Sequence, residues 1–301
     1  MVVSKSGTNP SPLEILFYFW DYPKLIVCTK GENTLYEIVK KENFDYLTYP
    51  SNEEFPNLDD RHTGISVSGL VPAALTGINI KEIYQGAKEM LERCSPKSDN
   101  NPALQLATSI YLLEGKGFNE IFCQIYSTKL QGFLRWIIQL IHEGVCKDRK
   151  GPTIYGDLSP ETQHHTMQRY FGGKKNALGL FITVKQEDQE SKVQVPENLK
   201  EIKLRDGKLG NFDQIPYAKL LEFEFQGTIQ DAIEQELPVI HLELDQLSPK
   251  TVGEFLALFQ YVAIYLGYLL EINPFGQPQV EKSKDISFEL IKQFKQSKSL
   301  N

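Results

Sequence analysis

The segment "QLIHEGVCK" carries a glutamate in a position that suits proton transfer. Gln139 and Glu143 are four residues apart, so on a helix they share one face, while apolar residues at 134, 137, 138 and 141 form the other face. Glu143 lies at the end of this helix, just before Gly144. A carboxylate at the negative end of a helix dipole is a better base. Taken locally, an exposed glutamate beside a glycine cap is the alternative.

Two adjacent histidines follow in "ETQHHTMQRYFGG", near the start of a predicted helix. On a helix His164 and His165 point about 100° apart, so they cannot both reach one small group. One of them is available for proton transfer while the other packs. The segment lacks the HxxxH or HxH spacing of a metal site. A structural histidine is the alternative here, and no metal is expected.

A third candidate lies at the start of the chain, where a short apolar run leads into a loop of hydroxyl and amide side chains before a helix. Backbone N–H groups and the dipole at a helix N-terminus attract anions, and hydroxyl groups can donate to phosphate oxygens. The loop therefore predicts a phosphate site, and a solvated Ser/Thr turn is the alternative. Its residues are Ser4, Lys5, Ser6, Gly7, Thr8 and Asn9.

These residues need elements to position them, and the first fifty residues supply an alternating pattern. The predicted strands are 1–3, 25–29 and 45–50, and the predicted helices are 12–22 and 34–44. Alternation of this kind is typical of a parallel sheet. After an acidic loop the chain turns helical, and the Ser-, Pro- and Asn-rich segment "CSPKSDNNP" predicts a boundary.

A second α/β unit is predicted beyond that boundary. Ser159 is expected to cap a helix with Pro160 at its first position. Residues 185–218 are expected to form an exposed excursion, and residues 219–247 to form strand, helix and strand. The other predicted elements are helix 101–114, strand 120–127, helix 128–144, strand 152–156, strand 176–184, an apolar helix over 251–272 and a C-terminal amphipathic helix.

The composition describes a soluble globular protein. The chain has 301 residues, 41% of them hydrophobic and 24% charged, with a net charge of −7. No basic excess is present to neutralise nucleic acid or an anionic membrane, so neither is an expected partner. The apolar run 255–270 falls short of the roughly 20 residues that cross a bilayer, which favours a buried helix. Four widely spaced cysteines indicate reduced thiols and a cytoplasmic location: Cys28, Cys94, Cys123 and Cys146.

Taken together and in order, these segments resemble the glucose-6-phosphate isomerase family. "VVSKSGTN" is similar to the phosphate loop of the family's first sugar-isomerase (SIS) domain, and "DDRHTGISVSGLVPAALTGINIKEIYQGA" to its Gly-Gly-Arg-Tyr-Ser signature. "QLIHEGVCK" resembles the segment with the catalytic glutamate, normally followed by Ser-x-Gly-Lys, and "ETQHHTMQ" the segment with the catalytic histidine. "GYLLEINPFGQPQVEKSK" resembles the C-terminal signature.

The resemblance implies roles for residues that are uninformative locally. It makes Glu143 the base, His164 the ring-opening histidine and Lys284 the lysine beside the ring oxygen. The implied substrate-binding residues are Arg61, which would stabilise the enediolate, Gln139, Gln277 and the loop residues 4–9. Departures from the family pattern include Asp59 and Asp60 in place of two glycines, His62 in place of Tyr or Phe, Gly276, Gln279, Asn9 and Ser11.

The implied fold is α/β, with SIS-type three-layer αβα units, parallel sheets and a C-terminal helix. The expected domains are 1–66, the remainder of a first SIS domain with the phosphate loop; 67–100, connecting helices; 101–272, a complete second SIS domain; and 273–301, a C-terminal loop and helix.

The implied activity is interconversion of glucose 6-phosphate and fructose 6-phosphate without metal or redox cofactor, by a homodimer with a shared active site. The family has a longer N-terminal portion, so a truncated or split gene is expected. The alternatives are a non-catalytic sugar-phosphate-binding protein and a subunit that needs a separate N-terminal half.

Overall fold

The computed structural model describes residues 1–49, 60–95, 100–186 and 190–299, which form two parallel sheets with flanking helices. In the first sheet, the strands β1 (Val2–Val3), β2 (Ile26–Thr29) and β3 (Asp45–Thr48) lie side by side in that order. The helices α1 (Pro10–Tyr18) and α2 (Thr34–Glu42) connect them. The predicted strand–helix alternation of the first fifty residues is therefore confirmed, although α1 ends at residue 18 and not at the predicted residue 22.

Helices α3 to α6 lead into and through the second unit. They are α3 (Val67–Leu75), α4 (Ile80–Cys94), α5 (Pro102–Glu114) and α6 (Gln131–Val145). The Asn101 side chain accepts the amide of Leu104, and Pro102 occupies the first helical position, so α5 begins where the sequence predicts. Ala87, Met90 and Cys94 of α4 lie in the large core cluster of the second sheet. The domain bounds themselves remain a prediction, and residues 96–99 of the expected boundary lie outside the described ranges.

The second sheet has four parallel strands in the order β5-β4-β6-β9. The remaining strands of the chain are β4 (Glu120–Ile125), β5 (Thr153–Leu158), β6 (Ala177–Gln186), the short hairpin β7 (Lys203–Leu204) and β8 (Gly207–Lys208), and β9 (Val239–Gln246). The remaining helices are α7 (Thr166–Gly172), α8 (Tyr217–Glu234), α9 (Pro249–Leu269) and α10 (Glu281–Ser299).

Strand β4 separates two buried layers because successive side chains point to opposite faces. Ile121, Cys123 and Ile125 join the cluster made with α4, α5, α6 and α9, whereas Phe122 and Tyr126 join the cluster made with α7 and α8. A strand buried on both faces reads as a continuous apolar run, which is why "EIFCQIYS" lacks simple alternation. The second unit is a three-layer αβα structure.

Helix α9 is the one helix in the described part of the chain that is long and apolar enough to cross a membrane, by length and composition. It packs against α4, α5 and α6. Its Gly253 allows close approach, since a Cβ there would lie 1.9 Å from the carbonyl oxygen of Ile83 in α4. The apolar run is thus a core helix in this structure, as the sequence predicts.

Two local predictions are wrong. A strand is expected at the start of residues 219–247, but α8 is helical from Tyr217 onwards, and Leu221, Phe225 and Ile229 recur every four residues and pack on the sheet. Ser159 does not cap a helix. Its hydroxyl bonds to that of Thr162 at 2.7 Å, a 3₁₀ turn follows, and α7 starts only at Thr166.

An exposed excursion is expected over residues 185–218. Residues 185 and 186 instead lie in β6, residues 187–189 lie outside the described ranges, and no residue of 190–218 is buried.

Candidate active site

Arg61 is the centre of a polar cluster that joins three distant parts of the chain. It lies in a 3₁₀ turn and is 3% exposed. Its Nη1 donates to Glu143 Oε2 at 3.1 Å and to Gln277 Oε1 at 3.1 Å. Its Nη2 donates to the carbonyl oxygens of Pro274 at 3.0 Å and Gly276 at 3.1 Å. A planar guanidinium suits this task because it presents several donors in fixed directions.

Glu143 lies in the last turn of α6, with one oxygen on Arg61 and the other on Gln139. The Nε2 of Gln139 donates to Glu143 Oε1 at 3.2 Å, which is the contact expected for residues four apart on a helix. The Glu143 side chain is 33% exposed, whereas that of Arg61 is fully buried. The carboxylate is therefore oriented by a buried cation and an amide while it stays accessible from outside.

The loop after α9 supplies two further acceptors for Arg61. Two main-chain carbonyls of this loop point to Arg61, and two others point to Lys147, whose Nζ donates to the oxygens of Asn273 at 2.7 Å and Phe275 at 2.9 Å. Lys147 is 7% exposed, which is rare for a lysine. The sequence gives it no role, although it stands four residues after Glu143, where the resembling family has the lysine of Ser-x-Gly-Lys.

The neighbours of Glu143 on α6 are uncharged side chains. Burial lowers the pKa of His142, whose Nε2 accepts the amide hydrogen of Ile154 at 3.0 Å. Burial and then the charge of Glu114 raise the pKa of the Cys146 thiol to about 11. Cys146 is thus a thiol at neutral pH rather than a nucleophile. The cation that pairs with the Glu143 carboxylate is Arg61, at 3.1 Å.

His62, which replaces an aromatic residue of the resembling family, lies beside an aromatic ring. Its imidazole centroid is 5.3 Å from that of Phe275. The ring-on-ring contact keeps a flat side chain packed against the loop that Arg61 binds. Asp59, the first of the two acidic departures, lies outside the described residues.

The opening loop occupies the carboxyl end of β1 and the start of α1. Ser4 is 5% exposed, and its Oγ accepts the amide hydrogen of Gly7 at 3.1 Å. Gly7 has a φ of +64°, a left-handed conformation that glycine adopts at little cost. The hydroxyl of Thr8 bonds to that of Ser6 at 3.4 Å, and Asn9 precedes the first residue of α1 without capping it by its side chain. The loop thus combines hydroxyls with a helix N-terminus, as the sequence predicts.

A chain of contacts runs from this loop towards Arg61. The carbonyl oxygen of Lys5 accepts the Thr29 hydroxyl at 3.4 Å, and the carbonyl of Thr29 accepts the amide hydrogen of Tyr49 at 2.8 Å. The Tyr49 hydroxyl then bonds to that of Thr63, two residues beyond Arg61. Both Tyr49 and Thr63 are buried. The first sheet and the Arg61 turn are therefore connected through buried hydrogen bonds.

His164 and Lys284 do not join this cluster. His164 is exposed in the turn before α7. Lys284 lies in the first turn of α10, where its Nζ pairs with Glu281 at 2.7 Å. Over the described residues, no hydrogen bond or ion pair connects either side chain to Arg61 or Glu143. The structure brings together Arg61, Gln139, Glu143 and Gln277, and leaves the predicted catalytic residues His164 and Lys284 elsewhere on the chain.

The cluster has the parts of a proton-transfer site at a carbon next to a carbonyl group. A carboxylate with access to solvent can take the proton, and a buried guanidinium beside it can offset charge on an oxygen. Within the described ranges, no group of three or more His, Cys, Asp or Glu side chains could hold a metal ion.

Known proteins are similar to this chain in sequence and in fold. No family model matches the chain. It is 27% identical over 271 residues to the glucose-6-phosphate isomerase of Methanocaldococcus jannaschii, covering 90% of this chain and 64% of that protein. It is 30% identical over 249 residues to that of Carboxydothermus hydrogenoformans, covering 78% of this chain and 52% of that protein. A crystal structure of a glucose-6-phosphate isomerase from Chlamydia trachomatis superposes with a TM-score of 0.75 at 20% identity, over 97% of this chain and 59% of the other.

The parallel sheets between helices, together with the hydroxyl loop at the end of β1, define an α/β protein of the SIS type, so the predicted fold class is confirmed. The sequence comparisons narrow this class. The chain belongs to the glucose-6-phosphate isomerase family. The chain spans between 41% and 66% of the length of the glucose-6-phosphate isomerases that it matches here.

Proposed function

We propose that this chain interconverts glucose 6-phosphate and fructose 6-phosphate through a cis-enediol(ate) intermediate, a step of glycolysis and gluconeogenesis. The observation that carries the proposal is the placement of Glu143 against the buried Arg61, with Gln139 and Gln277 on either side. Aldose–ketose isomerisation requires one base that can serve two neighbouring carbons and one cation for the oxyanion between them. This cluster supplies both.

Glu143 is the base that moves the proton between C2 and C1. A carboxylate on one side of the planar intermediate can return to either carbon the proton it has taken. Arg61 offsets the negative charge on the enediolate oxygen, an effect worth several kcal/mol in a site that excludes water. Gln139 and Gln277 orient these two groups.

The opening loop binds the phosphate of the hexose 6-phosphate substrate. Ser4, Ser6 and Thr8 provide hydroxyls, Lys5 provides a charge, and the amide groups at the start of α1 provide a favourable dipole. Binding at this remote group positions the reacting carbons over Glu143. The reaction needs no cofactor, and the cytoplasm is its proposed location.

Ring opening requires His164 and Lys284, and we propose that they act in a homodimer. The exposed position of His164 supports this. Within the described residues it makes no hydrogen bond or ion pair with the Arg61 cluster of its own chain, so it is available to the site of a neighbouring subunit. Lys284 stands at the start of α10, seven residues after Gln277, and reaches the ring oxygen in the assembled site.

An alternative is a non-catalytic sugar-phosphate-binding chain, or a subunit that needs a separate N-terminal half. The observation that favours it is the apolar outer surface of the first unit, where the exposed fractions of Phe17, Tyr18 and Tyr22 are 56%, 83% and 63%. Exposed aromatic groups of this size mark contact surfaces.

A coupled assay for fructose 6-phosphate isomerisation, with deuterium exchange at C2, tests the proposal. We expect Glu143→Gln to abolish exchange while sugar-phosphate affinity stays within about tenfold, because the amide keeps the shape but cannot accept the proton. Glu234→Gln, an exposed change in α8, is the matched control and should leave exchange intact. Unchanged exchange in Glu143→Gln would exclude Glu143 as the base, whereas activity that appears only after a separate N-terminal half is added would favour the alternative.

A further inference from the structure

The loop that follows α9 is bonded through its main chain to two buried cations in turn. The carbonyl oxygens of Asn273 and Phe275 accept from Lys147, and those of Pro274 and Gly276 accept from Arg61. The two cations alternate along the loop, since Lys147 bonds to the carbonyls of residues 273 and 275 and Arg61 to those of residues 274 and 276. Each residue from 273 to 276 is therefore fixed by a charged donor.

Gln277 is the next residue, and its Oε1 accepts from the same Arg61 nitrogen that bonds to Glu143. The Phe275 amide is fixed as well, because it donates to Asn273 Oδ1 at 3.0 Å. Without Lys147 the carbonyls at 273 and 275 would lose their buried donor and turn towards water. That rotation would move the intervening carbonyls and Gln277 away from Arg61.

We infer that Lys147 is a positioning residue of the isomerase site. It orders residues 273–277 so that Gln277 and two carbonyls hold the Arg61 guanidinium against Glu143, and it touches neither substrate nor reacting atoms itself. A lysine suits the position because its compact ammonium has three donors and can bond two carbonyls from one point. The inference rests on the proposed function for its catalytic consequence only.

The test compares Lys147→Met and Lys147→Arg with Lys175→Met in the full chain. Lys175 also donates to a main-chain carbonyl, that of Gln235 at 3.0 Å, but on an exposed surface remote from the cluster. Amide hydrogen exchange over residues 272–278 and steady-state kinetics are measured for each variant. We expect Lys147→Met to raise exchange in this segment about tenfold or more and to lower kcat about 10- to 100-fold, with KM within about threefold, because misplaced groups act mainly on the transition state.

Lys147→Arg should recover part of both values, since it keeps a buried donor, and Lys175→Met should match the wild type. If Lys147→Met does not fold by circular dichroism, Lys147→Gln, which keeps one donor, replaces it with the same expected direction. Wild-type exchange in residues 272–278 of a folded variant, or a rise spread evenly over the molecule with kcat intact, overturns the inference. A wild-type chain without isomerase activity would count against the proposed function, while the exchange measurement would still decide the role of Lys147.

Discussion

Arg61 bonds to four groups of the site through the two terminal nitrogens of one side chain. Its contacts reach Glu143, which is 82 residues away in sequence, and Gln277, which is 216 residues away. A buried guanidinium depends on acceptors of this kind, because leaving its charge unpaired away from water is costly. This geometry makes the residue sensitive to shape as well as to charge.

Arg61→Lys should lower kcat/KM about 100- to 1,000-fold. A lysine ammonium keeps the charge, but it cannot bond at once to the acceptors that now bind Nη1 and those that bind Nη2. Steady-state kinetics with fructose 6-phosphate measures the effect. Arg169→Lys is the control. Arg169 bonds to Glu120 and Asn176 at the amino ends of β4 and β6, so its replacement should alter the melting temperature and leave kcat/KM within about twofold. Equal kcat/KM for Arg61→Lys and the wild type would contradict the assigned role.

At this scale the sequence predicts contacts within one helix and misses those between segments. The Gln139–Glu143 hydrogen bond follows from helical spacing. The Arg61–Glu143 pair does not, because nothing in "DDRHTG" indicates burial, and only the family resemblance placed Arg61 near the substrate. Lys147 shows the same limit, since a buried lysine has no local signature. Its partners are main-chain carbonyls, whose directions depend on the folded loop.

At the scale of elements, the end of α6 is tied to the start of β5 through a histidine. The Ile154 amide donates to His142 Nε2, which requires an unprotonated nitrogen. Burial lowers the pKa of His142 in the folded protein below its ordinary value near 6.5. The unfolded chain therefore binds more protons as pH falls through about 6.5, and folded-state stability decreases from there until the folded-state pKa is passed.

We expect the free energy of unfolding to fall between pH 7.5 and pH 5 by more in the wild type than in His142→Gln. Glutamine offers Ile154 an oxygen acceptor and does not titrate, and one such group contributes at most about 1.4 kcal/mol per pH unit. Urea denaturation at the two pH values measures both chains. His241, whose pKa is also lowered by burial, contributes equally to both. Identical pH dependence in the two chains would show that the histidine does not couple α6 to β5.

Element prediction succeeded where one interaction dominated and failed where two patterns overlapped. Helix α9 lies within three residues of the predicted range 251–272 at both ends, because its long apolar run offers no competing pattern. In "KLLEFEFQ" the alternation of Leu, Phe and Glu satisfies a strand period, while residues 221, 225 and 229 satisfy a helical one. Packing on the second sheet selected the helix.

At the scale of the whole molecule, the proposed mechanism still requires His164 and Lys284 to reach the Arg61 cluster, and both belong to surface segments. Helix α10 extends from the Gln277 loop, and its apolar residues Ile286, Leu290 and Phe294 are 52%, 59% and 58% exposed. They are spaced four residues apart and so form one face of the helix. The apolar face of α10 and the exposed position of His164, the proposed ring-opening residue, both support the proposed homodimer. In that dimer the neighbouring subunit would cover the helix face and receive the histidine.

Subunit mixing tests this arrangement directly. Glu143→Gln and His164→Ala, each inactive alone, are unfolded together and refolded. If His164 serves the neighbouring site, each mixed dimer contains one site with both wild-type residues and one with neither, so activity should reach about a quarter of the wild-type value for random pairing. Mixing Glu143→Gln with Arg61→Lys is the control and should recover nothing, because both changes lie in the same subunit's cluster and every site keeps one of them. Absence of recovery in the first mixture, with dimers present by light scattering, would mean that each subunit uses its own histidine, and the turn before α7 would then have to move towards Glu143 within one chain.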